Sequence, residues 1–178
     1  KKSTLTQDKL NDSLQYPVIN SGRDYYGRFS EYNNEGNAIV IASRGEYAGF
    51  VSYISEKFWA GGLCYPYRSR SETKAHTKYI FYVLKNSEQR IMDSLVARGS
   101  IPALNKADID KFLIPLPPLP VQEEIVRILD TFSGMVAELE AEQAARVRQY
   151  EHYHDSMFVD LIFDGVEEKC LGEICTHM

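Results

Sequence analysis

No apolar run in the sequence approaches the roughly 20 residues that a membrane-spanning helix needs, so none is expected. Lys1-Lys2-Ser3-Thr4 is followed by no apolar segment, and no secretory signal is expected there. Cysteine is scarce: Cys64, Cys170 and Cys175 are an odd set that cannot form an even disulfide framework, which favours a reducing cytoplasm. Cys170 and Cys175 with His177 lack the paired spacing of a zinc site, so no metal is expected. There is no GxxxxGK[ST] phosphate loop and no GxGxxG fingerprint. The Pro-Pro pair of Leu116-Pro117-Pro118-Leu119 lacks the polar and aromatic flanks of an adenine methyltransferase tetrapeptide. Glu72-x-Lys74 and Glu167-x-Lys169 lack the Pro-Asp of a nuclease metal site, and His152 and His154 face no nucleophile elbow. The chain is therefore expected to be non-catalytic and to bind no cofactor itself.

What the chain has is an uneven charge. At 44% hydrophobic and 25% charged it has an ordinary globular composition. The net charge of −5 conceals residues 1–120, with 16 Lys+Arg against 12 Asp+Glu, and residues 121–178, with 4 against 13. A mildly basic body on an acidic stalk can still bind phosphate through its body, because the local field governs. The stalk is expected to face protein.

The first 70 residues read as strands and turns. Pro17-Val18-Ile19 ends at the turn signal Asn20-Ser21-Gly22, and Ala38–Ala42 is a continuous, largely β-branched run typical of a buried strand. Gly49–Ile54 is expected to lie antiparallel to it, and Leu63-Cys64-Tyr65 forms a further short strand. From Lys78 the apolar spacing turns helical, with the helix expected to stop at Arg98-Gly99, where the glycine caps it. Asn105 is expected to cap one short turn, and Phe112-Leu113-Ile114 to form a final strand. Pro115, Pro117, Pro118 and Pro120 make a semi-rigid connector. Beyond it Ile125, Leu129, Phe132, Val136 and Leu139 alternate by four and three, and the rhythm runs on through Tyr150, Tyr153 and Met157. That is a coiled-coil repeat needing a partner helix, with a possible break at Ser133-Gly134.

Recognition chemistry clusters in three places: Ser21, Arg23, Tyr25, Tyr26 and Arg28; Arg44 and Tyr47; and Tyr67, Arg68, Ser69, Arg70 and Lys74. Arginine forks suit guanine edges and phosphates, while Ser, Lys and Tyr position a protein on the backbone. Taken singly, any of these is as readily a sheet-face tyrosine or a solubilising charge. Together they are read as a DNA face.

Three blocks resemble specificity subunits of type I restriction-modification enzymes: Tyr16–Arg23; Gly99–Asn105 with Ile114–Leu119 and Gln122–Val126; and Arg148–Asp155. The tail around Leu171-Gly172-Glu173-Ile174 looks like the opening of a second recognition domain. The resemblance implies an α+β fold, with a small, twisted, mostly antiparallel target recognition domain over residues 1–119. A spacer helix over 120–163 follows, and then 164–178 as the start of a further domain or a disordered tail. It also implies partners: double-stranded DNA, methyltransferase subunits that use S-adenosylmethionine, and indirectly an ATP- and Mg-dependent motor-nuclease. A second copy or second half of the subunit would pair through antiparallel helices. Two alternatives are the recognition end of a fused methyltransferase-nuclease and a coiled-coil scaffold that binds protein rather than DNA.

Overall fold

Ala38–Ala42 forms strand β3, in which every residue is buried, and the fold is arranged around it. In the computed structural model of the protein, residue 5, residues 9–163 and residues 169–175 are described. Before β3 come β1 (Tyr16–Ile19) and β2 (Gly27–Phe29); after it come β4 (Val51–Ile54), β5 (Trp59–Ala60) and β6 (Cys64–Tyr67). β3 is the centre of a three-stranded antiparallel sheet, with Ile41 opposite Val51 on β4 and Tyr65 on β6. The second sheet has the order β2-β1-β5; its β1–β5 pairing is parallel and its β1–β2 pairing antiparallel.

Because side chains alternate across a strand, β3 serves two cores at once. Ala38 and Val40 face Ile19, Phe58 and Ala60 of the second sheet's side. Ile39 and Ile41 face helices α1 (Thr77–Asn86) and α2 (Glu88–Ser94) through Leu84 and Ile91, together with Leu104 and Ile109. An unbroken apolar run is what a strand covered on both faces requires. Phe58, wholly buried, fills the first core.

The chain departs from the sequence expectation after α2. The helix does not run to Gly99: it ends at Ser94, and a hairpin of β7 (Val96–Ala97) and β8 (Ala103–Leu104) follows. Gly99 is thus at a hairpin tip, and it is not among the glycines with positive φ. Asn105 stands before α3 (Lys106–Ile109) but makes no side-chain cap; its amide donates to Asp108 at 3.2 Å. Phe112–Ile114 forms no strand, and Leu113 is 88% exposed.

Helix α4 (Leu119–Phe163) is about 67 Å long at 1.5 Å per residue. Pro120 lies in its first turn, where a missing N–H leaves no bond unmade. The expected break at Ser133-Gly134 does not occur. Ser133 Oγ instead donates to the Leu129 carbonyl at 2.8 Å, within a continuous helix.

By compactness, the chain divides after Ile128. The first turns of α4 therefore belong to the head, with Gln122 and Val126 buried and Ile125 half-buried. In the second unit, taken by itself, Phe132, Val136, Leu139, Tyr150, Tyr153 and Met157 are all more than half exposed, and Leu129 is 36% exposed. A short helix, α5 (Leu171–Ile174), lies in the tail; residues 164–168 and 176–178, including Glu167 and His177, fall outside the described residues. Among the described residues no helix is long and apolar enough to cross a membrane.

Candidate nucleic-acid interface

The register of β3 sorts the sequence-predicted residues into two groups. Ala42 is opposite Cys64 and Ile39 opposite Tyr67, so the loop after β3 and the loop after β6 leave from opposite ends of the strand. At about 3.3 Å per residue, those ends are roughly 13 Å apart. The sequence-predicted residues are therefore divided between the two ends of β3.

At the Ala42 end, four loops converge: residues 20–26, 43–50, 61–63 and 98–102. Their backbones hold one another. Gly61 N–H donates to the Ile19 carbonyl at 2.7 Å, and Ser43 N–H to the Leu63 carbonyl at 2.9 Å. Leu104 N–H donates to Ser43 at 2.8 Å, and Gly45 N–H to Pro102 at 2.9 Å. The Asn20 side-chain oxygen accepts from Leu63 N–H at 3.1 Å. Gly45 turns the second loop with φ +93, a backbone that glycine adopts without strain. These contacts fix the loop tips while leaving their outward side chains uncommitted.

Those outward side chains are cationic and aromatic. The Arg23 guanidinium lies over the ring of Tyr47 at 5.1 Å and that of Phe50 at 5.7 Å, joining the first loop to the second. Arg44 is exposed and makes no ion pair among the described residues. Tyr25 and Tyr26 are 51% and 47% exposed, and Ser21 is half-buried beside them. An arginine pre-oriented on an aromatic ring loses little rotamer freedom when it meets an anion. Here Ser21, Arg23, Tyr25, Tyr26, Arg44 and Tyr47 are brought together.

The other group is largely committed to the fold. Arg68 donates to three backbone carbonyls, Glu35 at 2.5 Å, Gly36 at 2.8 Å and Asn37 at 3.2 Å. Its Nε and Nη2 thus close the loop before β3, a structural task that the sequence reading of Arg68 did not foresee. Arg28 likewise donates to Leu14 at 2.8 Å and Gln15 at 2.6 Å, with Glu56 at 3.5 Å. Tyr67 donates to Asp110 at 2.7 Å; burial, and then Asp110, push its hydroxyl above the ordinary tyrosine range. Lys106 and Tyr67 in turn hold the Asp110 carboxyl below its usual value. Ser69 anchors the next turn by accepting from Ser71 N–H at 3.2 Å. Arg70 and Lys74 remain exposed on this surface, apart from the four-loop end.

Two residues to which sequence reasoning gave no place in the site organise the same surface. Glu72 accepts from Thr77 N–H at 3.0 Å and from the Thr77 hydroxyl, capping α1 where His76 gives no side-chain cap. Gln122, fully buried, accepts from His76 N–H at 2.9 Å and donates to Pro117 at 2.7 Å and Lys74 at 3.2 Å. Its only sequence signal is a polar residue on the buried side of the helix, one turn before Val126.

Among the described residues, no cluster of three or more His, Cys, Asp or Glu could hold a metal ion. Comparison with known proteins agrees with the geometry. A family model described as type I restriction modification DNA specificity domain matches residues 1–149. The EcoR124I/EcoR124II specificity subunit of Escherichia coli is 28% identical over 179 residues, covering 92% of this chain and 42% of its own. The MpnII specificity subunit of Mycoplasma pneumoniae is 27% identical over 167 residues, covering 92% and 48%. The chain thus spans less than half the length of these relatives. Among solved structures, a type I restriction-modification S subunit from M. genitalium superposes with TM-score 0.70 at 20% identity, over 93% of this chain and 43% of that one. The HsdS subunit of Thermoanaerobacter tengcongensis gives 0.56 at 20% identity, over 90% and 41%. These likenesses bear out the α+β layout of small antiparallel sheets and a long C-terminal helix. With the family model covering most of its length, the chain belongs to the type I restriction-modification DNA specificity domain family.

Proposed function

We propose that this chain is a non-catalytic, sequence-reading module of a type I restriction-modification complex. Its head reads one part of a split DNA site with the four-loop end, acting in the cytoplasm. The observation that carries this is the meeting of Arg23, Arg44, Tyr25, Tyr26 and Tyr47 on loops whose backbones are fixed to one another. Rigid loops with uncommitted cationic and aromatic tips suit both phosphate contact and base readout. The exposed seam of α4 would pair with another helix, from a second copy or a second half of the subunit, and set the gap between two reading heads. Methyltransferase subunits would dock on that assembly and bring S-adenosylmethionine. A motor-nuclease would join through them with ATP and Mg. This chain would contribute position and specificity rather than chemistry.

The test is selection of duplexes from a randomised pool by the 178-residue chain, followed by titration at several salt concentrations. A shared motif should emerge, with affinity falling steeply as salt rises, because phosphate contacts release counterions. Arg23→Ala and Arg44→Ala should each weaken binding about five- to 100-fold without lowering Tm. Enrichment of no motif, or affinity indifferent to both substitutions, would defeat the reading.

A further inference from the structure

The hairpin tip Arg98–Pro102 belongs to the convergent end, although sequence reasoning foresaw no DNA contact there. It is placed with care: β7 and β8 pair through Val96 with Leu104 and Ala97 with Ala103, and Ala103 also bridges to Arg44. Pro102 accepts from Gly45, so the tip moves with the arginine loop. Two features of the tip have no account within the fold. Gly99 has no positive φ, and a Cβ built on it meets nothing within 4 Å, so neither backbone conformation nor packing calls for glycine there. Ile101 is 61% exposed at the same tip, an apolar side chain facing water on a hairpin that bridges to Arg44 through Ala103. Among the described residues Arg98 is held only by an exposed pair with Asp93 at 2.8 Å, a contact that a phosphate can displace.

We infer that residues 98–102 form a third DNA-contacting loop beside 20–26 and 43–50, in which Gly99 lets the backbone approach a phosphate and Ile101 meets base edges in the groove. This rests on the recognition reading above and names a segment of that site. Glycine in an open, unstrained position costs chain entropy, and a closely approaching partner is the gain that offsets it. An isoleucine tip suits the thymine methyl or a base step, and a guanidinium beside it suits the flanking phosphate.

The experiment uses the duplex selected by the wild-type chain and a random duplex of equal length. Gly99→Val should weaken binding to both about tenfold, since bulk at a phosphate contact is indifferent to sequence. Ile101→Ser should weaken the selected duplex about tenfold and leave the random one unchanged. Neither substitution touches the core, and Tm should hold in both; Gly99→Ala, smaller still, should fall between wild type and Gly99→Val. If Arg23→Ala and Arg44→Ala weaken binding while these variants bind like wild type, the loop assignment fails and the recognition reading stands. If the wild-type chain enriches no duplex, the recognition reading itself fails.

Discussion

At the scale of single residues, the arginines separate by what their donors already hold. Among the described residues the Arg44 side chain makes no ion pair on its fixed loop, whereas Arg68 has given Nε and Nη2 to the carbonyls of Glu35, Gly36 and Asn37. Arg68→Ala should therefore act on folding: about 1–3 kcal/mol lost, read as a Tm lowered by several degrees, with DNA affinity of the folded fraction unchanged. Arg44→Ala should show the opposite pattern in the same two measurements. Nothing in the string Tyr67-Arg68-Ser69-Arg70 distinguishes the two cases, because the carbonyls that Arg68 caps lie 31 to 33 residues earlier in the chain. Cys64 gives a second residue-scale prediction. Burial pushes its thiol up to about 11, against 9.0 for the free group. Between those values the unfolded chain releases a proton that the folded chain keeps, so stability falls as pH rises from about 9 to about 11. Denaturant midpoints across that range should drop in the wild type and stay flatter in Cys64→Ala. In native protein at pH 8, a thiol reagent should modify the exposed Cys170 and Cys175 and spare Cys64.

At the scale of elements, what the sequence disclosed depended on how long a pattern each element carries. β3 was readable because five buried residues in a row leave few alternatives, and α4 because its four-and-three spacing repeats over many turns. The β7–β8 hairpin was not, since two-residue strands are shorter than any period, and Gly99 was read by its commonest use as a helix cap. Phe112–Ile114 has the composition of a strand, yet it stays irregular, with Phe112 and Ile114 packed against the core around Ile39, Ile41 and Leu84. The same limit applied to the candidate site: its residue types were legible, but their division between two ends of β3 follows from register alone. The joint between α4 and the head was equally hidden. There Gln122 satisfies one donor and two acceptors of the segments around His76 and Pro117. Gln122→Leu keeps the volume and removes all three bonds, leaving buried backbone groups unpaired. The expected cost is about 2–4 kcal/mol in chemical denaturation, well above that of an exposed neighbour such as Glu123→Ala. Equal effects at the two positions would mean that Gln122 is not the joint.

At the scale of the whole molecule, the decisive feature is the seam of α4, left exposed within its own unit. Phe132, Val136 and Leu139 at 61%, 53% and 64% exposure form a stripe whose only economical cover is another helix. Sedimentation equilibrium should therefore give twice the chain mass of 20.4 kDa at micromolar concentration. Phe132→Asp with Leu139→Asp should return the monomer, because two buried carboxylates without partners cannot be accommodated in the pair. The head's thermal transition should be unaffected by that double change, since residues 129 onward form a separate unit. A two-fold pair of identical heads would select an interrupted palindrome, its halves separated by a gap set by helix length. Inserting seven residues after Glu142 keeps the seam in register, and it lengthens each helix by about 10 Å. With the helices antiparallel, the two heads move apart by that distance, and the selected gap should widen by about three base pairs at 3.4 Å each while both half-sites stay the same. A gap that ignores the insertion would mean that something other than α4 sets the spacing, and half-sites that change with it would mean that helix and head are not independent parts.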